Sequence, residues 1–311
     1  MGVKPDRKTA FRRRFRRGQQ GQVFAFVAIS MVGMCAMAGF ALDVGVWFQA
    51  HRKQQSIADA AALAGAGALP ASTAQATADA QTYAAKNGGS ASSVSYSTQY
   101  LPNDTITVQT TRTVPSYFLN VLGISSATTK ATAVARAENL STAWGAAPFG
   151  IINTQPELAG PGCPCFGTST TLDLGKVGPG GFGIINIDGS QGGNGPGTLA
   201  DWIENGCDCS TATPVWLYSD PGAKFNSSQV KGAMDDVIGR NLLFPVYDLI
   251  QGNGANLQYH VIGFAGFNVQ SYSFKGNSGS INGSFVKVDW EGTGTSNTST
   301  YFGATTSRLV G

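Results

Sequence analysis

Four cysteines are the residues whose spacing most directly suggests chemistry in this chain. They form two C-x-C pairs, Cys163 with Cys165 and Cys207 with Cys209. In an oxidising compartment, four such thiols normally become two disulfides. Because a bond within one pair closes a small, strained ring, we expect each cysteine to bond to the other pair. Such bonds would close a loop of about forty residues and contribute ~3–4 kcal/mol of stability.

Two alternatives for these thiols stay open. All four could bind zinc, although structural zinc sites usually have two to four residues between paired cysteines and need thiols that stay reduced. They could also be free or redox-active. The fifth cysteine, Cys35, lies in an apolar segment and is interpreted as a small apolar residue.

A possible metal motif begins at Asp188. The segment Asp188-Gly189-Ser190-Gln191-Gly192 is similar to the D-x-S-x-S metal site of von Willebrand A domains. The third oxygen ligand is missing because Gly192 stands where a serine is needed. We therefore interpret this segment as a loop and predict no metal site.

Few groups are available for acid–base catalysis. The chain has two histidines: His51 beside the predicted membrane interface, and His260 in a predicted strand, where a structural role is the simpler interpretation. The adjacent carboxylates Asp235 and Asp236 point to different sides of a predicted helix. We predict no catalytic residue, no cofactor and no enzyme activity, while a hydrolase with an unrecognised site stays open.

The elements that position these residues begin with a basic N-terminal tail. Its first twenty residues carry eight Lys or Arg and one Asp, a net charge of +7, whereas the whole chain carries +3. A nucleic-acid arm is one interpretation of such a tail. Here the tail runs directly into Val23–Leu42, an uncharged segment long enough to cross ~30 Å of hydrocarbon. Because Lys and Arg concentrate on the untranslocated side, the tail should be cytoplasmic and should not bind nucleic acid.

A cleaved signal peptide is the main rival to a retained anchor. Gly39 and Ala41 supply small residues at positions that a signal peptidase reads. The apolar run is longer than a usual signal h-region, and the helical pattern continues beyond the candidate cut. A lipoprotein signal is disfavoured because Met34 precedes Cys35. We therefore predict a permanent anchor, with Asp43 close enough to its outer end to reach polar headgroups.

A helical stalk and a small α+β unit are predicted to follow the span. The helix should continue to Pro70, with an apolar stripe at Ile57, Ala61, Leu63, Ala64 and Ala68. A second helix should run from an N-cap at Ser72 to Asn87. Two strands, a brief helix and a third strand are then expected. Their ranges are 94–100, 105–114, 116–122 and 127–137.

The Gly-rich remainder is predicted to be an antiparallel β domain with one helix. Serine at 227 or 228 can cap that helix, and strands are expected at 242–249, 257–274 and 284–290. The overall fold class is therefore α+β. We predict four parts: a basic cytoplasmic tail, 1–22; a transmembrane helix, 23–48; a stalk with the small α+β unit, 49–138; and an extracytoplasmic β-rich domain, 149–311, after a linker at 138–148.

Three motifs stand together in residues 18–66. The apolar span closes on Ala41-Leu42-Asp43-Val44-Gly45, a basic step follows at Arg52-Lys53-Gln54, and an Ala-rich segment runs over 58–66. This pattern resembles the N-terminal segment of TadE/TadG-like proteins of the Tad (tight adherence, Flp pilus) assembly systems, and the resemblance extends to about residue 138. The anchor and family-motif residues singled out within it are Asp43, Gly45, Asp59, Leu63 and Gly65.

The resemblance implies a membrane-bound accessory protein of a pilus or secretion apparatus, facing the periplasm or cell exterior. Pilin precursors carry Glu at the fifth position after the cleavage glycine, but Phe26 follows Gly21 there and Val23 follows Gly18. The chain therefore looks like a permanent anchor. We predict a non-enzymatic scaffold whose partners are the lipid bilayer and other pilus-assembly or pilin-like proteins. Self-association could use Gly33, Ala36, Ala38 and Gly39. The alternative is an anchored surface adhesin or cell-envelope structural protein.

Overall fold

A computed structural model describes residues 7–160, 162–175, 183–221, 224–275, 278–295 and 301–310, with side chains from Val23 onward except that of Ser278. The chain divides into two compact units. Unit 1 comprises Met1–Ser56 and Thr110–Ala131, and unit 2 comprises Ile57–Gln109 and Thr132–Gly311. The fold class is α+β, as predicted, with mostly antiparallel sheets.

Helix α1 extends from Arg7 to Ala66. At 1.5 Å per residue its 60 residues span about 90 Å. This confirms the prediction that the helix continues past the apolar segment, since no proline interrupts it before Pro70. Among the described residues, one helical stretch, Val23–Ala66, is long and apolar enough to cross a membrane.

In unit 1 the chain returns to α1 as a β-hairpin. Strand β2, Thr105–Pro115, and strand β3, Ser126–Trp144, each have one end in this unit, and a short 3-10 helix, Leu119–Leu122, lies between them. The sequence predicted a brief helix over 116–122. The helix that forms is shorter because it begins at Leu119. It ends at Leu122, as predicted, where Gly123 adopts a left-handed conformation with φ 88°.

The start of unit 2 packs small residues tightly. Helix α2, Thr73–Lys86, is capped by Ser72, whose Oγ accepts a hydrogen bond from the Gln75 N–H at 3.1 Å, as predicted. Its buried alanines are Ala76, Ala80 and Ala84. The buried face of α1 differs from the predicted stripe, because Leu63 is 41% exposed and Ala64 and Ala68 are only half-buried. The buried residues of α1 in unit 2 are Ile57, Ala58, Ala61, Ala62, Gly65 and Ala66, and Leu69 is buried just after the helix ends.

The remaining helices and strands complete two sheets. The bounds of the helices are α2 Thr73–Lys86, α3 Pro156–Ala159, α4 Pro196–Glu204 and α5 Ser228–Asp236. The bounds of the strands are β1 Ala91–Ser97, β2 Thr105–Pro115, β3 Ser126–Trp144, β4 Ile151–Ile152, β5 Ser169–Asp173, β6 Ser210–Ala212, β7 Val215–Tyr218, β8 Asn241–Gln251, β9 Gln258–Lys275, β10 Ser278–Val286, β11 Val288–Asp289, β12 Gly292–Thr295 and β13 Ala304–Leu309.

The first sheet runs in the order β1-β2-β3-β13-β11, and β12 and β6 also pair with β3. The second runs β4-β8-β9-β10-β5, with β7 paired to β9. The prediction of a linker from residue 138 was wrong, because β3 continues to Trp144. Its later residues pair with β13, β12 and β6, so their backbone groups are bonded within a sheet.

In the part of the chain that the structure describes, three helices, α3, α4 and α5, contribute to the core of the second sheet, where one was predicted. Helix α5 begins after Ser227, whose Oγ accepts from the Val230 N–H at 3.1 Å, as predicted. Helix α4 was not predicted, because its nine residues contain only Leu199, Trp202 and Ile203 as a short apolar pattern. Leu199 and Ile203 join Val230, Ala233 and Met234 among the buried phenylalanines of this core.

A half-buried lysine lies beside the C-terminal end of α1. The Lys287 ammonium donates a hydrogen bond to the Gly67 carbonyl, just after the last helical residue. Burial lowers the pKa of Lys287 to about 8, while the nearby Asp289 carboxylate acts in the opposite direction. A cation at this position suits the carbonyl end of a helix.

Lys287 should make stability depend on alkaline pH. The unfolded lysine keeps its proton to about pH 10.4, so between pH 8 and that value the unfolded state binds more protons than the folded state. Stability should therefore rise with pH across this window. Between pH 7.5 and pH 10 the free energy of unfolding of wild type should rise by about 2 kcal/mol relative to that of Lys287→Met. The difference between the two melting temperatures should therefore change by about 4–8 °C. Thermal unfolding of the full chain in detergent measures this, and a pH-independent difference would contradict it.

Candidate functional site

The most constrained polar group of unit 1 is the carboxylate of Asp43. It lies on α1 with only 1% of its surface exposed. One oxygen, Oδ1, accepts a hydrogen bond from the Tyr117 N–H at 2.9 Å. The other, Oδ2, accepts from the Phe118 N–H at 2.9 Å and the Leu119 N–H at 2.6 Å. The carboxylate thus binds three successive backbone amides of the hairpin loop and is directed at this loop rather than at headgroups.

The loop offers these amides because of how it folds. A hydrogen bond from the Ser116 N–H to the Ser125 carbonyl, 2.9 Å, closes its base. The 3-10 helix then starts at Leu119, and the first N–H groups of a helix have no partner within it. A negative charge is favourable at this end of a helix. Asp43 therefore acts as an N-terminal cap supplied by a residue far away in the sequence.

Close packing supports this contact on both sides. A Cβ atom placed on Gly39 would lie 2.7 Å from Cβ and Cγ of Phe118, so only glycine lets this side chain lie against α1. At the other end of the hairpin, the Thr110 hydroxyl donates to the Gln54 carbonyl at 3.0 Å. The hairpin is thus joined to α1 at Gly39, Asp43 and Gln54.

Around this contact unit 1 exposes an apolar surface. Large apolar residues of α1 from Val23 to Leu42 are more than half exposed. In the loop, Val121 is 88% and Leu122 76% exposed. The helix and the loop together line one apolar groove, whose residues are Ala28, Met31, Val32, Cys35, Ala36, Phe40, Phe118, Leu119, Val121 and Leu122.

The other family-motif residues do not gather around Asp43. Gly45 is exposed on α1, and nothing lies within 4 Å of a Cβ placed there. Asp59 is half-buried and Leu63 is 41% exposed. Gly65 is buried in unit 2, where an added Cβ would lie 2.6 Å from Cδ1 of Ile106 and 2.8 Å from the Ala76 carbonyl oxygen. The motif thus contains one capping carboxylate and one close-packing glycine in different units.

The cysteines pair differently from the prediction. Cys163 bonds to Cys165 and Cys207 bonds to Cys209, so the expectation of bonds between the two pairs was wrong. The Cα atoms within the pairs are 4.4 and 5.1 Å apart, which is within the range that a disulfide spans. Backbone turns bring them this close. In the first pair, the Cys163 N–H donates to the Gly160 carbonyl and the Cys165 N–H to the Glu157 carbonyl.

The remaining chemical groups form local structure. Asp188 accepts hydrogen bonds from the N–H and hydroxyl of Ser190, at 3.0 and 2.7 Å, which confirms the loop interpretation. Nδ1 of His260 lies 2.7 Å from Asp248 Oδ1, and its ring centroid lies 4.8 Å from that of Trp216. Among the described residues, no three His, Cys, Asp or Glu side chains are placed to share a metal ion.

Unit 1 therefore defines a class of protein: one with a long apolar helix that could span a membrane and a β-hairpin fixed to that helix. Residues 21–68 match a family described as putative Flp pilus-assembly TadE/G-like, and residues 48–135 match one described as putative Tad-like Flp pilus-assembly. The N-terminal region of the chain, residues 21–135, is therefore Tad-like. Asp43 and its three amide partners all lie within the matched residues. No curated protein and no solved structure matches the chain.

Proposed function

We propose that this protein is a membrane-anchored, non-enzymatic component of a Tad/Flp pilus assembly or secretion apparatus, acting by binding and scaffolding. The observation that carries the proposal is the exposed apolar surface of α1 from Val23 to Leu42 within a Tad-like region. Water does not favour so long an apolar surface on a single helix, whereas a bilayer does. The N-terminus would be cytoplasmic and the chain beyond the span periplasmic or extracellular, because the positive charges precede the span.

The proposed organisation follows the four predicted parts in order along the chain, except that β3 continues past residue 138 without a linker. These are the tail at 1–22, the span at 23–48, the TadG-like stalk and α+β unit at 49–138, and the β-rich domain at 149–311. An oxidising compartment would suit the two disulfides. Partners would be the bilayer and other pilus-assembly or pilin-like proteins, without nucleic acid. Lateral self-association of the span would use Gly33, Ala36 and Ala38, but not Gly39, which Phe118 covers.

Topology can be tested with alkaline phosphatase joined to the C-terminus of the full chain. The enzyme is active only outside the cytoplasm, so we expect an active fusion. As a control, the tail arginines at 12, 13, 14, 16 and 17 are replaced by glutamine, which should lower this activity because the charges that hold the tail inside are removed. An inactive fusion of the unaltered chain would refute the proposed topology.

The role in assembly has a separate test. Deleting the gene should abolish surface pili, and a plasmid copy of the full chain should restore them. If pili remain but attachment to surfaces is lost, the protein is an adhesin and the assembly role is wrong.

A further inference from the structure

We infer that the hairpin tip, residues 116–125, inserts into the outer leaflet of the bilayer beside α1 and forms a second membrane contact. This inference rests on the proposed membrane anchoring and goes beyond it. The ligand would be the acyl-chain region of the lipid, recognised by apolar side chains of Phe118, Val121, Leu122 and Ile124. The charge-free chain around the tip, the geometry of the groove and the bonding of the backbone support this inference independently.

The tip has the composition of a lipid contact. No charged residue lies between Arg112 and Lys130, so none would have to enter the bilayer with the tip. Phe118, Val121, Leu122 and Ile124 are between 47% and 88% exposed. An exposed apolar patch of this kind marks an interaction site. Tyr117, 68% exposed, adds the residue type that is enriched at membrane interfaces.

The position of the groove sets the depth of the tip. Val121 and Leu122 line the same groove as Val32 and Cys35 of α1. Cys35 precedes Asp43 by eight positions, which corresponds to about 12 Å along a helix. If Val23–Leu42 fills the hydrocarbon, the tip reaches about 10 Å below its outer boundary. Asp43 remains at that boundary and holds the loop at this depth.

Hydrogen bonds to most backbone N–H groups of the tip lower its cost of entering hydrocarbon. Every backbone N–H exposed to lipid without a partner is costly, so irregular loops are normally excluded from lipid. Here Asp43 accepts three of these N–H groups and loop carbonyls accept others. The N–H groups bonded in these two ways are those of Ser116, Tyr117, Phe118, Leu119, Val121, Gly123 and Ile124.

Lipid is favoured over a protein partner as the occupant because the surface is continuous. The groove joins the tip to the exposed apolar face of α1, from Ala28 to Phe40, which the proposed anchoring already places in the bilayer. The lipid that surrounds this face would therefore also fill the groove. A second protein would have to displace that lipid without a hydrophobic gain over it.

Spin-label accessibility tests this inference. Val121→Cys is prepared in full-length protein with Cys35→Ala, labelled with a nitroxide and reconstituted into phosphatidylcholine–phosphatidylglycerol vesicles. Val32→Cys on the exposed face of α1 and Gln81→Cys on the surface of α2 serve as matched labels. Two reagents that collide with the nitroxide report its surroundings: oxygen concentrates in hydrocarbon, and a neutral nickel chelate stays in water. We expect the label at 121 to collide more often with oxygen than with nickel, as at 32, and the ratio to reverse at 81.

Each other outcome is decisive. A nickel-accessible label at 121 together with a lipid-exposed label at 32 overturns the insertion of the tip while leaving the anchor intact. Low accessibility to both reagents at 121 shows that protein covers the tip, which also overturns the inference. Nickel access at both positions refutes the proposed anchoring itself. Because Val121 is 88% exposed, the label should not disturb folding, and Leu122→Cys provides a second reading of the same loop.

Discussion

Replacing Asp43 with asparagine should release the hairpin tip from α1. Both carboxylate oxygens accept hydrogen bonds from the loop, so an asparagine keeps one acceptor and turns an NH₂ donor toward an N–H. The N–H groups of Tyr117, Phe118 and Leu119 would then lose a charged acceptor. We expect these three amides to exchange with deuterium at least about tenfold faster than in wild type.

The measurement is hydrogen exchange by mass spectrometry on the full chain in detergent, where the bilayer does not mask the loop. Asp79→Asn is the matched control, because the Asp79 carboxylate accepts a hydrogen bond from a neighbouring side chain, Gln75 Nε2 at 2.9 Å, at the surface of α2. It should leave exchange in the hairpin unchanged. Equal exchange of residues 117–119 in Asp43→Asn and wild type would show that the carboxylate does not hold the loop.

Gly39 and Gly33 provide an independent check on the same contact. Both are on α1, but a Cβ at Gly39 would overlap Phe118, whereas nothing lies within 4 Å of a Cβ at Gly33. Gly39→Ala should therefore increase exchange in the loop and Gly33→Ala should not. This pair separates loss of the hairpin contact from a general effect of altering the apolar helix.

A second buried aspartate uses the same chemistry in unit 2. The Asp104 carboxylate accepts from the N–H groups of Gln99, Tyr100 and Leu101 at 2.9, 2.7 and 2.8 Å. Burial works against its charge, but the donors outweigh burial and lower the pKa of Asp104 below its ordinary value. Asp104 caps a turn only three to five residues away. Asp43 likewise caps a loop, but one that lies 74 to 76 residues away in the sequence.

This difference in sequence separation explains much of what the sequence could predict. The N-caps at Ser72 and Ser227 were identified because a cap and its helix are neighbours in the chain. The start of β2 at Thr105 and the α+β class followed from local patterns in the same way. The Asp43 contact was missed because its partners are 74 to 76 residues away and are backbone N–H groups, which every non-proline residue has.

The disulfides were mispredicted for a related reason. The expectation of cross-pairing considered only the strain of a short ring, whereas the local backbone turns bring the Cα atoms of each pair within bonding distance. The linker at 138–148 failed because its first residues pair with strands from near the chain's end. Local composition does not determine such pairing.

The last prediction concerns Gly65, where substitution by alanine should destabilise unit 2. An alanine normally stabilises a helix by up to ~1 kcal/mol relative to glycine. At Gly65 the added methyl would lie 2.6 Å from Cδ1 of Ile106, which is fully buried, and 2.8 Å from the Ala76 carbonyl oxygen. A backbone oxygen cannot move aside by changing a rotamer. The overlap should outweigh the helix propensity, with a net loss of about 1–3 kcal/mol.

Thermal unfolding of the full chain in detergent should show this loss as a fall in melting temperature of about 2–4 °C per kcal/mol. Gly45→Ala, at the other glycine of the family motif, and Gly232→Ala, on α5 in the same unit, are the matched controls. Neither glycine has an atom within 4 Å of an added Cβ, so both variants should melt at or above the wild-type temperature. If Gly65→Ala behaved like these controls, the close approach of α1 to α2 and β2 would not depend on glycine. The presence of glycine at position 65 of the family motif would then have to be explained by something other than the packing of unit 2.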